Sequence, residues 1–385
     1  MRKGKTIPEY TILRVLATLF VIFGHAMANN FTTEWFGVRT AIAYTGTAAA
    51  LLAVLSDYIY KFHMPLFFFL AGALLKYTGA ADKSFEEIIP KRFRRLMVPY
   101  IGCLLLYSLP VKVLTGIYNL PTAAYITTNI FLTTEYSGYL WFLYRLFVVT
   151  VFVWLLARYC MRRRPALGAA VILVCLFACV KLPVAFVLTV PAVMLLYTFL
   201  GYLFEYVRPR LTAAIQKYWY AAVLAVAAYG LWNVKGRILR VPLLGADNGY
   251  FAAMQDIAAT VFPVLLDILA WYAIACLLSA IPRLAECRAL RSLDENSMYI
   301  YLFHDPLNYL IMAAAGLLPG WVVGPAESLA LIALRTVGIL LVSWAVSPLL
   351  HRLDNDQRVV RWAMLICGLI FTTATVWVYA ANLIP

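Results

Sequence analysis

Two ionisable residues, Arg14 and His25, lie in one apolar stretch near the start of this 385-residue chain. Their separation of eleven residues is close to three turns of an α-helix, which would put both side chains on one face, about 16 Å apart along the axis. Ionisable side chains are costly inside a bilayer and usually face a cavity or a partner, so this face is a candidate site. An imidazole there could act as a general base near neutral pH. In the structural alternative, Arg14 snorkels to the inner headgroups and His25 lies at the outer interface.

A second candidate is the adjacent pair His304 and Asp305, which a later apolar stretch places at membrane depth. Neighbouring residues on a helix diverge by about 100°, so these two side chains need not contact each other. They could form one polar wall of a substrate pocket, or His304 could be a packed, hydrogen-bonded structural residue. The sequence leaves both interpretations open.

Three further residues could line a substrate pocket: His63, Trp141 and Arg145. Interfacial packing is the simpler explanation for His63, which lies near the outer end of its apolar stretch. Arg145, like Arg335 in a later stretch, could recognise an anion or pair with an intramembrane acid such as Asp267. The sequence does not choose between these roles.

A run of cations, Lys91-Arg92-Phe93-Arg94-Arg95, precedes the third apolar stretch. Guanidinium groups pair bidentately with phosphate oxygens, so the run suits a phosphate-rich ligand. Arg92 and Arg95 are three residues apart and would share a face if the segment is helical. The alternative is the ordinary flanking charge of a membrane helix, or binding of anionic lipid.

Composition indicates the class of protein. The chain is 64% hydrophobic and 13% charged, whereas soluble globular chains are about 45–50% apolar and about 25% charged. This balance excludes an ordinary soluble enzyme, and the 15% aromatic content excludes a disordered chain. We therefore predict an all-α fold, a polytopic membrane bundle of about 10–11 transmembrane helices. The apolar stretches that predict these helices are 10–30, 58–77, 96–118, 139–157, 166–182, 184–206, 219–235, 257–280, 296–318, 327–350 and 362–383.

The net charge of +14 follows from topology. Most of the 32 Lys and Arg residues fall in alternate connections, beginning with the N-terminus, so the positive-inside rule places the N-terminus in the cytoplasm. Nucleic acid is therefore not needed as a partner. Residues 40–57 are apolar enough to span, yet a span there would put Arg92 and its neighbours outside. We predict instead that they extend the second helix at the outer face.

No cysteine pair has metal-ligand spacing, so no metal site is predicted. No long polar linker or low-complexity tract divides the chain. We therefore predict that residues 1–385 form a single membrane domain without an appended soluble domain.

Five motifs in order give the chain a resemblance to the acyltransferase-3 family of membrane O-acyltransferases. They are the Arg-x10-His of Arg14 and His25, the run from His63 to Gly72, the Arg-x-x-Arg of Arg92 and Arg95 before Leu-x-x-Pro-Tyr, Leu140-Trp141-Phe-Leu143, and Ser297-x-x-Ile300-Tyr301-Leu-x-His304. Within the family, the chain is most similar to the fucose 4-O-acetylase-like branch. The resemblance covers nearly the whole chain, although about 160–280 matches by hydropathy alone.

The resemblance implies a multi-pass enzyme of the bacterial cytoplasmic membrane. It would take an acyl group from cytoplasmic acyl-CoA, with acetyl-CoA the commonest donor substrate and no bound cofactor, and place it on a hydroxyl of a surface glycan or lipid-linked saccharide. Carried over by position, Arg14 and His25 would be the essential pair, and Arg92 and Arg95, with Arg94 between them, would contact acyl-CoA. Membrane lipids would be the other partner. The chain departs from some relatives in lacking an SGNH-type esterase domain after the last span, and from its branch in having Ala71 where serine is usual.

The expected mechanism is direct transfer with His25 as the general base. A sugar hydroxyl is a poor nucleophile at neutral pH, so a base must accept its proton during attack on the thioester. Arg14 would orient the donor or stabilise the charge that develops on the thioester oxygen. Two alternatives remain open: a transporter or flippase of a lipid-linked glycan or small anion, and a structural partner of a glycan-export complex.

Overall fold

The computed structural model describes residues 7–28, 33–35, 38–40, 46–108, 110–111, 135–161, 192–239, 250–316 and 325–355, with a few single positions besides. Five of the described helical segments are long and apolar enough to cross a membrane: Pro8–Met27, Val54–Tyr77, Gly138–Met161, Val261–Ser279 and Leu329–Pro348. This confirms the predicted all-α membrane bundle. One small addition is an antiparallel hairpin of two short strands, β1 (Thr33–Trp35) and β2 (Val38–Thr40).

The helices follow the apolar stretches. They are α1 (Pro8–Ala28), α2 (Gly46–Tyr77), α3 (Phe85–Arg92), α4 (Val98–Cys103), α5 (Trp141–Leu155), α6 (Ala192–Lys217), α7 (Trp219–Leu239), α8 (Tyr250–Ser279), α9 (Pro282–Ala285), α10 (Arg288–Gly316) and α11 (Pro325–Asn355). Shorter 3-10 turns occupy Ala80–Asp82 and Glu135–Leu140, and π-helical turns occupy Phe93–Met97, Leu104–Ser108 and Leu156–Met161. The predicted spans 166–182 and 362–383 lie almost wholly outside the described residues, so the number of spans stays a prediction.

The second helix is longer than an ordinary span. Helix α2 runs for 32 residues without interruption, from Gly46 to Tyr77. Most of the segment 40–57 is therefore helical and continuous with the second span, which confirms that it extends this helix and does not form a separate crossing. Residues 41–45 lie outside the described part of the chain.

Helices α2 and α6 touch through their backbones at two glycines. A Cβ atom on Gly72 would lie 1.8 Å from the Thr198 carbonyl oxygen, and one on Gly201 would lie 1.9 Å from the Phe69 carbonyl oxygen. Small residues at such a contact let membrane helices approach closely enough for extensive van der Waals packing. The contact fixes the position of α2, which carries Tyr60 and His63.

Helix α1 lies between several neighbours, packing against α2, α8, α10 and α11. Its first turn is tied to α6 by polar contacts. The Tyr10 hydroxyl donates to Glu205 Oε2 at 2.6 Å, and Arg208 pairs with Glu205 at 2.8 Å and with Glu9 at 3.5 Å. These contacts hold the axial position of α1, and with it the depth of Arg14 and His25.

Candidate active site

Two polar contacts join α1 to α10, one above the other. Arg14 on α1 pairs with Asp294 on α10, and His25 on α1 pairs with Asp305 on α10. The two residues on each helix are eleven positions apart, so the contacts repeat in the same order along both helices and the helices run parallel. The prediction that Arg14 and His25 share one face of a helix is confirmed, because both reach the same neighbour.

The guanidinium of Arg14 lies close to both oxygens of one carboxylate. Its Nε lies 2.7 Å from Asp294 Oδ1 and its Nη2 donates to Asp294 Oδ2 at 2.8 Å. The Thr11 hydroxyl donates to the same Oδ2 at 3.3 Å. One charge-assisted hydrogen bond and one ion-pair contact thus hold the guanidinium against the carboxylate. With 29% of its side chain exposed, Arg14 has a partner within the bundle and does not rely on lipid headgroups alone.

The imidazole of His25 lies among aromatic and polar side chains. Its Nδ1 is 3.2 Å from Asp305 Oδ1, and its ring centroid is 4.7 Å from that of His304 and 5.8 Å from that of Tyr60. Asp305 is 3% exposed, whereas 20% of the His25 side chain is exposed. An ionised carboxylate only accepts hydrogen bonds, so the pairing places a proton on Nδ1.

His304 is fully buried beside this pair. Its Nδ1 lies 2.5 Å from the Tyr301 carbonyl oxygen, which can only accept, so this nitrogen carries the proton. Its Nε2 is buried, and no hydrogen-bond partner is found for it among the described residues. His304 is thus a packed, hydrogen-bonded residue, and its place in the polar wall of a substrate pocket stays a prediction.

A proline opens the backbone of α10 next to Asp305. Pro306 has no N–H, so the Leu302 carbonyl loses its usual donor in the helix. The Tyr139 hydroxyl donates to that carbonyl at 2.5 Å, and the Cys103 thiol lies 3.3 Å from it. Replacement donors of this kind are how membrane helices tolerate proline. Tyr139 thereby supports the turn that carries His304 and Asp305.

Tyr60 lies between His25 and His63 on the side of α2. The Tyr60 and His63 ring centroids are 5.3 Å apart. His63 is 2% exposed, with its Nδ1 2.6 Å from the Ile59 carbonyl oxygen. His63 is therefore packed inside the bundle close to the His25 site, and a role in a substrate pocket stays a prediction.

Trp141 and Arg145 are placed together but apart from this cluster. The Arg145 guanidinium carbon lies 4.9 Å from the centroid of the Trp141 ring, one turn away on α5. Among the described contacts none joins either residue to the His25 ring. Their connection is indirect, because Phe142 packs with a centroid separation of 5.5 Å against Tyr301. A role for Trp141 and Arg145 in a substrate pocket stays a prediction.

The other buried acid considered from the sequence is Asp267 on α8. Its Oδ1 accepts hydrogen bonds from the Tyr229 hydroxyl and from Asn233 Nδ2, both at 2.8 Å. These donors come from α7, so the polar side chains hold α7 against α8.

The cationic run is helical throughout. It begins in the last turn of α3 and continues into the π-helical turn Phe93–Met97. Burial, and then the like charge of Arg95, lower the pKa of the Arg92 guanidinium to about 10, so it remains cationic at pH 7. Arg94 is half-buried and Arg95 is exposed. The helical segment on which Arg92 and Arg95 were expected to share a face is therefore present, and their ligand stays a prediction.

Three residues of the site could also hold a metal ion. The ligand atoms of His25, His304 and Asp305 all lie within 4.8 Å of one another. A metal-bound histidine commonly donates its other ring N–H to a carbonyl, as His304 does. The sequence-based expectation of no metal stays a prediction.

Sequence reasoning missed Asp294 and Tyr139. Asp294 lies just before the predicted span 296–318, yet its spacing from Asp305 repeats that of Arg14 from His25, which is a signal that could have found it. Tyr139 is far from α10 in sequence, and only the folded chain brings its hydroxyl to Leu302.

Comparison with known proteins gives two findings. The acyltransferase-domain family called acyltransferase 3 matches residues 7–381, which confirms the resemblance seen in the motifs. The chain is also similar to the nodulation protein NolL of Mesorhizobium japonicum, with 32% identity over 114 residues. That match spans 29% of this chain and 29% of NolL. No solved structure shows significant similarity to the chain.

Proposed function

Because the chain belongs to the acyltransferase 3 family, we propose that this multi-pass membrane acyltransferase transfers an acyl group from cytoplasmic acyl-CoA to a hydroxyl of a cell-surface or lipid-linked glycan. Acetyl is the proposed group and a bacterial cytoplasmic membrane the proposed location. The observation that carries the proposal is the pairing of His25 with Asp305 at one level of the α1–α10 interface and of Arg14 with Asp294 at another. A base and a cation are thereby fixed at different depths of one helix pair.

His25 is the proposed general base. Its Nε2 accepts the proton of the acceptor hydroxyl while the hydroxyl oxygen attacks the carbonyl carbon of the thioester. The C–O bond forms and the C–S bond breaks. The imidazolium then gives its proton to the leaving sulfur, so CoA departs as the thiol. Asp305 orients the ring through Nδ1 and offsets the positive charge that the imidazole gains.

Direct transfer is favoured over an acyl-enzyme intermediate. An acyl-enzyme needs a nucleophilic side chain within hydrogen-bond reach of the base. The side chains described around the His25 ring are Tyr60, His304 and Asp305, and none of these is a serine or a cysteine.

The donor is proposed to bind at the cytoplasmic side. Arg92, Arg94 and Arg95 present a concentrated positive charge that matches the phosphates of CoA. Arg14 lies three turns before His25 on α1, and would orient the thioester or stabilise its developing negative charge.

Label transfer in membrane vesicles tests the reaction class. Vesicles with and without the protein receive radiolabelled acetyl-CoA, and endogenous glycan is separated and counted. We expect label in the glycan fraction only when the protein is present, and weaker labelling at limiting donor when Arg92 and Arg95 are both replaced by alanine. Protein-independent label, or no label with acetyl-CoA, succinyl-CoA and other acyl-CoAs, would contradict the proposal.

The same assay separates base catalysis from metal chemistry. If His25 is a base, a chelator leaves the rate unchanged. A rate that is lost on chelation and restored by a divalent cation would instead make His25, His304 and Asp305 metal ligands.

A further inference from the structure

The carbonyl group of His25 is held by two buried side chains. His25 lies in the last turn of α1, which ends at Ala28, where side chains from outside the helix can reach the backbone carbonyls. Arg335 Nη2 lies 3.3 Å from this oxygen and Asn308 Nδ2 lies 3.4 Å from it. Arg335 Nε also donates to Asn308 Oδ1, so the two side chains support each other.

Both donors are unusual for their setting. Arg335 and Asn308 are each 0% exposed, and a cation inside the membrane is costly and seldom present without a function. A positive charge at the C-terminal end of a helix is favourable because the helix dipole is negative there. Arg335 therefore lies at the end of α1 where its positive charge is stabilising.

Helix α10 contacts His25 twice. Asp305 pairs with the imidazole ring, and Asn308, three residues later on the same face, reaches the carbonyl of the same residue. The ring and the backbone carbonyl of His25 thus both contact one turn of α10. Arg335 from α11 provides a further contact to the carbonyl.

We propose that Arg335 and Asn308 are positioning residues that clamp the backbone of His25 so that its ring stays paired with Asp305. The expected fall in the transfer rate rests on the proposed function, whereas the expected loss of the His25–Asp305 contact does not. Removing the clamp lets the end of α1 shift, and the Nδ1 contact at 3.2 Å is lost. Arg92 and Arg95, which are proposed to bind the donor, lie on other elements, so we expect donor binding to be unaffected.

Three variants test the clamp: Arg335→Met, Arg335→Lys and Asn308→Ala. A displacement of about 1 Å at a reacting group can lower a rate about 100-fold, and we expect such a fall in kcat for Arg335→Met with little change in KM for acetyl-CoA. Arg335→Lys should recover part of the rate, because the ammonium can reach the carbonyl but cannot bind Asn308 at the same time. Thr336→Val is the matched control, since the hydrogen bond described for the Thr336 hydroxyl stays within α11, to the Ile332 carbonyl.

A spectroscopic readout makes the test independent of activity. The chain has four histidines, so NMR of protein labelled with nitrogen-15 histidine gives few ring signals. A low-field Nδ1–H signal that disappears in His25→Ala reports the pairing with Asp305. We expect it to be retained in Thr336→Val and to shift or vanish in Arg335→Met and Asn308→Ala.

The outcomes separate the two proposals. An unchanged His25 signal in both clamp variants would overturn the clamp, and so would a wild-type protein with no such signal. A signal that moves in the clamp variants of a protein that transfers no acyl group would support the clamp and reject the proposed function. If Arg335→Met does not fold, Asn308→Ala, which keeps the buried cation, decides the question.

Discussion

At the scale of residues, the site consists of two ion pairs that join α1 to α10 at two depths. Arg14 has a carboxylate beside it in Asp294, and His25 has one in Asp305. Each acid fixes the orientation of a group that the proposed reaction needs, an electrophilic cation in one case and a base in the other. The equal spacing on α1 and α10 lets both pairs form between the same two helices.

The pair of Arg14 and Asp294 gives a prediction about stability. Asp294→Ala leaves a half-buried guanidinium without its carboxylate, and losing charged hydrogen bonds of this kind costs about 1–3 kcal/mol. We expect a lower unfolding midpoint in detergent for Asp294→Ala than for wild type. An unchanged midpoint would show that the pair contributes nothing to the fold.

A double variant separates the structural from the chemical role of Arg14. In Arg14→Met with Asp294→Leu both charges are removed together, which avoids an unpaired charge inside the bundle. We expect the double variant to unfold close to the wild-type midpoint and to transfer acyl groups poorly. Transfer at the wild-type rate would make Arg14 a structural residue only.

The residues that sequence analysis identified at the site are those whose types are rare in apolar stretches. Arg14, His25, His304 and Asp305 are conspicuous because charge at membrane depth is costly. Tyr139 is not conspicuous, because tyrosine is common in this chain and its role depends on a carbonyl 163 residues away. Its contact could not be predicted from local pattern.

At the scale of elements, the close approach of α2 and α6 determines where the α2 side of the site lies. A Cβ atom at Gly72 or Gly201 would overlap a backbone carbonyl of the facing helix, and backbone cannot move aside as a flexible side chain can. The final glycine of the motif that starts at His63 is thereby explained by packing and not by chemistry.

This contact predicts a severe effect from a single methyl group. Gly72→Ala and Gly201→Ala should each force α2 and α6 apart and reduce the yield of folded protein extracted from membranes. Gly102→Ala is the matched control, because a Cβ atom there would meet nothing within 4 Å, and alanine is the better helix former. Equal yields for Gly72→Ala and Gly102→Ala would contradict the packing account.

The apolar pattern predicted helices better than it predicted their ends. Helix α6 continues to Lys217, beyond the predicted span 184–206. Hydropathy reports which residues prefer lipid, whereas this extension carries the charged residues Arg208, Arg210 and Lys217. The short strands β1 and β2 were not predicted, since three residues carry too little pattern to distinguish a strand from a loop.

At the scale of the whole molecule, charge and depth give the bundle a direction. The parallel pairing of α1 and α10 places Arg14 and Asp294 toward the end where both helices begin, and His25 and Asp305 deeper. With the N-terminus in the cytoplasm, as the distribution of Lys and Arg predicts, the proposed donor enters from the cytoplasm and the base lies toward the other face.

Sidedness is the prediction at this scale. Acetyl-CoA carries phosphates and does not cross a sealed bilayer, so inside-out vesicles should label glycan from external donor and right-side-out vesicles should not. Permeabilised samples of both kinds should label equally, which controls for the amount of active protein. Equal labelling by sealed vesicles of both orientations would contradict the proposed topology.

The central claim is that His25, oriented by Asp305, is the base of acyl transfer. The most direct measurement is the single-turnover rate of acetyl transfer by purified wild type, His25→Ala and Asp305→Asn, with acetyl-CoA binding measured on the same samples. General base catalysis contributes about 100- to 10,000-fold, so we predict a fall of that size for His25→Ala, a smaller fall for Asp305→Asn, and donor binding retained in both. A His25→Ala variant that binds acetyl-CoA and transfers acetyl at the wild-type rate would contradict the account.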